Sequence, residues 1–526
     1  MKILLLSVQR DLDAVGLKIL HYYLREQGHE CKLLFLPVFD SSNEKMFAEV
    51  LKFVKDFDPS FIGVSLMSVE YHVSLKLTKL LKEAGITVPI VWGGPHPTMT
   101  PENCVDFCDY VCVGEGELAL TEFASVLADR GDLKKVLNMA YRNESGEIIK
   151  NPLHPQIQDL DTVPPYEHRP YNSFVLDEYK ISAMAPALMD TYAPYRGRSY
   201  SIVTSRGCPL RCTFCCNNVY QDLYDNRRIR HRSVEHVMQE LEAAVRDNPE
   251  IDIVNIQDDC FLASPVKIIE EFAIEYKKRI NLPFVARAIP TWVNQNKMEN
   301  LKGAGMFWVI MGLQSGSDKV NRDIYQRKVL SKHFTNAAKV ISDLQMGGIY
   351  DVILDNPLES EAEKLETIET LTKTPKPFNP EFFSLSFYQG TELYEIAKRE
   401  LRPEQIEDCT EKDYLQYEKN NINKMTRMAA FLPGSVMRPV LNAYKKDSGS
   451  LKFLLLFHIL KLLTIILVEP ITYLWLIYLA EGRSVLGVFR GIPTYFKEGF
   501  KRFADQFEFP GMKLVTKLLG IKRAPH

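Results

Sequence analysis

The sequence is short of three things. Neither sign of charge is in surplus: 64 lysines and arginines stand against 67 aspartates and glutamates in 526 residues, which argues against a general nucleic-acid role. Cysteine is sparse, ten residues in all, too few in so long a chain to make a disulfide scaffold. The amino terminus has an apolar run, residues 3–8, too short for a signal peptide, and it meets charge at Arg10 and Asp11. Together these shortages point to a protein kept in a reducing cytoplasm. The length suffices for roughly two to three domains, each burying its own core.

Three of the ten cysteines are gathered in one place. Cys208, Cys212 and Cys215 form a C-x3-C-x2-C pattern. It follows a β-branched run, Ile202-Val203-Thr204, that reads as a strand broken by Gly207-Cys208-Pro209. Thiolate is the ligand of iron–sulfur clusters, and a [4Fe–4S] cluster ordinarily takes four. A loop that offers three leaves one iron open for a substrate or cofactor. Single cysteines beside a turn would be inert packing, and Cys216, outside the pattern, reads that way. Cys104, Cys108 and Cys112 form a second regular set. It is split between a helical turn and the next strand, so its thiols should point apart into the core rather than hold a metal.

Over residues 1–150, apolar strands (2–8, 32–37, 61–66, 88–92, 109–113) alternate with helical stretches (15–27, 69–83). That pattern predicts a doubly wound, Rossmann-like parallel sheet whose ligands sit at the carboxyl ends of the strands. Three loops fall there: Ser65-Leu66-Met67-Ser68, Gly93-Gly94-Pro95-His96-Pro97-Thr98 and Gly114-Glu115-Gly116-Glu117. Paired glycines let a backbone pass close to a large ligand, although each loop alone reads equally well as a tight turn. Residues 151–198, rich in proline and tyrosine, read as an extended linker lying over both domains. From 199 to 404, strands at 202–204, 252–257, 284–288, 308–313, 350–354 and 382–387 alternate with helices. They predict a partial (β/α)6 TIM-type barrel, with chemistry at the strand C-terminal ends. Gln257-Asp258-Asp259, Arg287, Gln314-Ser315-Gly316-Ser317 and Asp355-Asn356-Pro357-Leu358-Glu359 lie in or close the strands of this barrel.

The cysteine loop resembles the cluster loop of the radical S-adenosylmethionine enzymes. The Gly-Gly-Pro-His-Pro-Thr and Gly-Glu-Gly-Glu stretches resemble the cobalamin-binding domain found ahead of many of them, as in the anaerobic magnesium-protoporphyrin monomethyl ester cyclase-like group. The resemblance covers roughly residues 1–400. It implies a [4Fe–4S] cluster on Cys208, Cys212 and Cys215. It implies S-adenosylmethionine held by Asp258, Asp259, Arg287, Gln314 and Ser315, and cobalamin held by Ser65, Gly93, Gly94, His96, Gly114, Glu115 and Gly116. The implied reaction begins with an electron from a low-potential donor and cleavage of S-adenosylmethionine to methionine and a 5′-deoxyadenosyl radical. Hydrogen abstraction from an unactivated carbon follows, and then methyl delivery, cyclisation or oxidation. An open cluster is oxygen-sensitive, which suggests an anaerobic setting.

Three departures accompany the match. Asp11-Leu12-Asp13-Ala14-Val15-Gly16 stands where histidine-donating cobalamin domains carry D-x-H-x-x-G, so Asp13 occupies the ligand position and no histidine is available for cobalt. Gln314 stands where many members have Glu, and Asp355-Asn356-Pro357-Leu358-Glu359 where relatives often have Gly-Leu-Pro-Gly-Glu. Gly390-Thr391-Glu392-Leu393 again looks like the family. Two other readings stay open: a vestigial cobalamin fold, and a non-catalytic cobalamin or redox sensor that keeps the barrel as a scaffold.

The tail, 405–526, matches no part of that family core. Residues 451–480 are mostly apolar, interrupted by Lys461, Glu469 and Pro470. The run is about long enough to span a bilayer, but Glu469 in its middle is costly there. Phe496, Phe500, Phe503 and Phe507 recur at helical spacing among cations. From Lys445 onward there are thirteen Lys/Arg against six Asp/Glu, which suits the anionic inner membrane surface. The expectation is a helical region at that surface serving a small-molecule or lipid-like substrate. The alternative is a helical cap packed on the barrel or on a dimer partner.

Overall fold

The computed structural model describes residues 1–411 and 413–480. The aromatic and basic pattern from Phe496 to Phe507 lies outside the described residues.

The first sheet contains β1 (Lys2–Ser7), β2 (Glu30–Phe35), β3 (Phe61–Ser65), β4 (Ile90–Gly93), β5 (Tyr110–Cys112), β6 (Met139–Arg142), β7 (Ile148–Lys150), β8 (Ser173–Asp177) and β9 (Lys180–Ala183). They lie in the order β7-β6-β5-β4-β3-β1-β2-β8-β9. The run from β5 to β8 is parallel, with antiparallel additions at both edges. Along β1 the side chains alternate between the two faces, Ile3 and Leu5 to one core and Leu4 and Leu6 to the other. Cys112 joins the first core and Cys104 and Cys108 the second, so the second cysteine set is split by the sheet. The chain turns from β1 to β2 on one side and from β2 back to β3 on the other. This reversal opens a crevice beyond the carboxyl ends of β1 and β3.

Two expectations are corrected here. The sequence predicts five strands, and the sheet has nine. The 151–198 stretch is not simply a linker: β8 extends the parallel sheet beside β2 and folds back through β9. Its short, partly exposed strands lack the long apolar run that marked β1 and β3.

The second sheet is a six-stranded parallel array in sequence order: β10 (Ser199–Ile202), β13 (Ile253–Ile256), β14 (Phe284–Ala288), β15 (Met306–Gln314), β16 (Gly347–Leu354) and β17 (Asn379–Ser384). Between β10 and β13 lies a small antiparallel pair, β11 (Ser205–Arg206) and β12 (Arg230–His231). Helices such as Val234–Asp247 and Ser331–Asp343 bury one stripe against the outer face. The alternate residues Val285, Trp308 and Ile349 face inward, and Leu476 from the C-terminal region packs against them. A six-stranded sheet of this kind does not close on itself, and a helix from the tail packs against its inner face.

That helix belongs to a continuous rod over residues 451–480, α-helical at Leu451–Leu463 and Glu469–Ala480 with a π-helical segment at Thr464–Val468 between them. Phe453, Phe457 and Leu476 turn inward. Among the described residues, thirteen of the nineteen exposed large apolar side chains lie on this rod. Glu469 faces the interior and makes a two-pronged ion pair with Arg427 at 2.7 and 2.8 Å. Tyr417 Oη accepts from the same guanidinium at 3.2 Å.

Candidate active site

The cysteine loop leaves β11 after Arg206. Cys212 is buried, Cys208 and Cys215 are partly open, and all three are free thiols. The loop is held by main chain: Thr213 N–H donates to Tyr325 O at 3.0 Å, and Leu393 N–H donates to Thr213 O at 2.9 Å. Thr213 Oγ1 donates to Ile324 O at 2.7 Å, and Gln221 Nε2 donates to Leu210 O at 3.0 Å. Among the described residues no three His, Cys, Asp or Glu side chains crowd closely enough for a single metal ion. A cubane instead takes one thiolate at each of several separate iron corners, and three free cysteines on one pinned loop fit that demand. Burial pushes the Cys212 thiol up to about 11, opposed by the Arg327 guanidinium beside it. Arg327 is held in turn by the carbonyls of Gly312 at 2.9 Å and Leu313 at 3.2 Å. The Cys216 thiol hydrogen-bonds Cys215 and, with Asn217, holds it below the usual thiol range.

The residues expected at the S-adenosylmethionine end divide. Asp258 is turned inward: its carboxylate accepts from Thr204 N–H, Thr204 Oγ1 and Ser205 Oγ, each at 2.6 Å. It fixes the turn that leads into the cysteine loop rather than offering itself to a ligand. Asp259 remains open to solvent. It is hydrogen-bonded to Asn217 with Arg287 near, and its charge is felt at Cys208 and Cys215. Gln314 sits at φ +66°, with its amide folded over Gly312. Ser315 is fully buried and donates to Glu359 at 2.7 Å. Burial raises the Glu359 carboxyl to about 7.

On the first sheet, the crevice opens into a cavity of about 2360 Å³ that also reaches Arg287, Trp308, Phe383 and the tail helices. That far exceeds the roughly 300–1,000 Å³ of an ordinary ligand pocket, which suits a corrinoid together with a substrate. Its floor includes Gln9, Arg10 and Asp11 after β1 and Met67 to Glu70 after β3. Gly94, at φ +98°, has no room for a side chain, because a Cβ would stand 2.9 Å from Leu66 O. Ser65 packs against the same glycine, which follows directly on Gly93 at the end of β4. His96 lines the cavity, but both its nitrogens are engaged, with Ser68 Oγ at 3.1 Å and Thr100 Oγ1 at 3.4 Å. Burial depresses it to about 4.

The third expected cobalamin loop goes elsewhere. Gly114 and Glu115 meet the barrel module, and Gly116 packs on Leu20 of the first module. Tyr224 Oη accepts from Glu115 N–H at 2.8 Å and fills the space over Gly114. Glu115 pairs with Arg230, and Arg206 donates to Glu117 at 2.6 Å. Burial alone would raise Glu117, but Arg206 outweighs it and holds the carboxyl below its usual range. Asp13 likewise crosses to the barrel, accepting from Ser201 Oγ at 2.6 Å and Gln257 Nε2 at 3.2 Å. Burial pushes it up to about 6 against the pull of Lys18. The sequence reading missed Arg206, Arg230, Arg327 and the Gln9–Asp11 floor. Arg206 stands two residues before Cys208, and that adjacency was the available signal.

A switch-point crevice facing a partial barrel, with a three-thiol loop at the barrel's mouth, defines an enzyme that works with two large cofactors. The family comparisons agree. A B12 binding domain model matches residues 1–124, and a Radical SAM superfamily model matches residues 202–371. An uncharacterized methyltransferase of Pyrococcus horikoshii is 26% identical over 387 residues, 73% of this chain and 78% of that protein. Hopanoid C-3 methylase of Methylococcus capsulatus is 23% identical over 457 residues, 83% of this chain and 78% of that protein. Anaerobic magnesium-protoporphyrin IX monomethyl ester cyclases are also among the relatives. In fold, the cobalamin-dependent radical enzyme OxsB, solved with aqua-cobalamin and S-adenosylmethionine, matches with a TM-score of 0.62 at 16% identity, covering 100% of this chain and 82% of that one. The chain belongs to the cobalamin-binding radical S-adenosylmethionine enzymes. Its cofactors are a [4Fe–4S] cluster, S-adenosylmethionine and cobalamin.

Proposed function

We propose that this enzyme transfers a methyl group to an unactivated carbon of an apolar, lipid-like molecule taken from a membrane surface. The observation that carries the reading is the continuity of the cavity with the exposed rod: Ile465, Tyr473 and Leu474 are exposed, and they also line the cavity. Monomeric soluble proteins seldom leave so contiguous an apolar face uncovered. The rod, about 29 residues long by its apolar stretch, would measure roughly 44 Å at 1.5 Å per residue, well beyond the ~30 Å core of a bilayer. With Glu469 and Arg427 paired on its inner side, it suits a position in the plane of the interface, apolar face down. A bilayer-resident substrate would then pass along Ile465 and Tyr473 into the cavity without crossing water. Hopanoid C-3 methylase, by its name, acts on a lipid of this kind.

When bound, the cluster, S-adenosylmethionine and cobalamin supply the radical and methyl chemistry. The residues bind, orient and exclude water. Cys208, Cys212 and Cys215 would hold the cluster, and Asp259, Arg287 and Gln314 would bind S-adenosylmethionine. The loops after β1, β3 and β4 would carry cobalamin, and Asp13 and His96 are both committed to other partners. A low-potential electron donor is required.

The test supplies the reduced, reconstituted enzyme with cobalamin, methyl-labelled S-adenosylmethionine and a membrane lipid extract. Label in the organic phase together with 5′-deoxyadenosine is the expected result. 5′-Deoxyadenosine without transferred label would favour cyclisation or oxidation. The absence of 5′-deoxyadenosine would favour a non-catalytic sensor.

A further inference from the structure

Asp13 stands where a cobalt-binding histidine would be, and the fold gives its side chain a different use. It is half-buried, and a carboxylate largely withdrawn from water is costly unless it is hydrogen-bonded. Both of its side-chain donors come from the other module: Ser201 on β10 at 2.6 Å and Gln257 just beyond β13 at 3.2 Å. Gln257 is held from both ends, since its carbonyl accepts from Arg287 Nη1 at 2.6 Å. Reversing that amide would set NH2 against guanidinium and carbonyl against carboxylate, so one orientation is selected. Arg287 lines the cavity and lies close to Asp259, whose carboxyl is hydrogen-bonded to Asn217, two residues beyond Cys215. A short chain of side chains therefore runs from the loop at the cobalamin crevice to the pole of the barrel that carries the cluster.

We propose that Asp13 is a positioning residue that acts through Gln257 to aim Arg287 at S-adenosylmethionine, so that the cobalamin module helps to build the site in the barrel. This rests on the reading that Arg287 contacts S-adenosylmethionine. The chain is directional. Asp13 fixes the Gln257 amide, and the amide carbonyl fixes the guanidinium. Ser201 Oγ also accepts from Gln257 Nε2 at 3.3 Å, so Ser201 and Asp13 hold the amide nitrogen together.

The test is the affinity of the cobalamin-loaded, cluster-containing enzyme for S-adenosylmethionine, read from the change in the spin-resonance spectrum of the reduced cluster on titration. Loss of a hydrogen bond to a charged group is worth about tenfold in affinity. Arg287→Ala, Gln257→Ala and Asp13→Ala should each weaken binding by about that factor. Asp13→Asn, which keeps an acceptor oxygen, should recover most of it. Because the residues act in series, Asp13→Ala combined with Gln257→Ala should be no worse than either alone. Cobalamin and iron contents should be unchanged. Normal affinity in Asp13→Ala and Gln257→Ala, alongside weakened Arg287→Ala, overturns the inference and leaves the role of Arg287 intact. Normal affinity in Arg287→Ala overturns both. Additive losses in the double variant break the chain, and Gln257→Ala with Asp13→Asn carries the test if Asp13→Ala does not fold. Asp13→His recreates the D-x-H-x-x-G sequence and should still add no nitrogen coupling to the Co(II) spectrum beyond that of the parent enzyme. Its appearance would mean that residue 13 faces cobalt, and the inference would fall.

Discussion

The junction between the two modules and the C-terminal rod are built on opposite terms. At the junction, charged and polar side chains that are buried or half-buried find partners: Asp13 with Ser201 and Gln257, Glu117 with Arg206, Glu115 with Arg230. On the outer side of the rod, Leu455, Ile459, Leu462 and Ile466 are large, apolar and open. A buried polar contact is specific because a wrong geometry strands a charge. An apolar face is nearly indifferent to geometry and asks only to leave water. The first suits two cofactor sites that must meet at a set distance. The second suits a surface with no fixed partner.

The largest effect should come from the cysteine loop that the junction supports. Replacing Cys208, Cys212 and Cys215 together with Ala should abolish the cluster absorbance and the bound iron, while Cys104→Ala, Cys108→Ala and Cys216→Ala retain both. A triple variant that keeps its iron would separate the loop from the cluster.

Next in size is the junction itself. Arg206→Ala leaves Glu117 buried without its main partner, and breaking a buried pair in this way costs about 3–5 kcal/mol. Denaturant unfolding should show this, with Arg206→Lys milder. A loss within the range of a surface substitution would mean that the modules are held mainly by something else.

A smaller, pH-dependent effect belongs to the polar interior and should be missing from the rod. The folded carboxyl of Glu359 is raised to about 7, well above its unfolded value of 4.5. The native state therefore holds a proton that the unfolded chain has released between those two values, and stability falls as pH rises through that window. The full difference is on the order of 3 kcal/mol, and Glu359→Gln should flatten the slope between pH 5 and 7. An unchanged slope would move the titration to another group.

The smallest effect on folding, and the sharpest contrast, is on the rod. Leu462→Asp with Ile466→Asp should shift stability by no more than about 0.5 kcal/mol per site, as exposed positions do. The same pair should remove co-sedimentation with anionic vesicles. A large loss of stability, or unchanged vesicle binding, would make this face a packing surface and bring the two regions back to one kind.

The strand–helix alternation, the parallel sheets and the cysteine loop were legible in the sequence, because burial on both faces writes continuous apolar runs and cluster ligation demands one residue type at fixed spacing. β14 was expected at 284–288 and lies at Phe284–Ala288. The inward commitment of Asp258 was not legible. The sequence places Asp258 and Asp259 side by side at the end of β13, and only the packing of Thr204 and Ser205 against one of them tells which carboxylate stays open. The same holds for Gly114-Glu115-Gly116, where a tight turn and a ligand loop are written alike until Tyr224 and Arg230 are seen against it. Glu469 shows the limit from the other side. Within the chain it is a charge in the middle of an apolar run, and in the fold it is a side chain turned inward onto Arg427, 42 residues earlier. By itself the sequence determined the strand–helix alternation and the cysteine loop, because those depend on local pattern and residue type. Only the tertiary structure decided which polar groups face each other, because a long-range ion pair or hydrogen bond leaves no periodic mark along the chain.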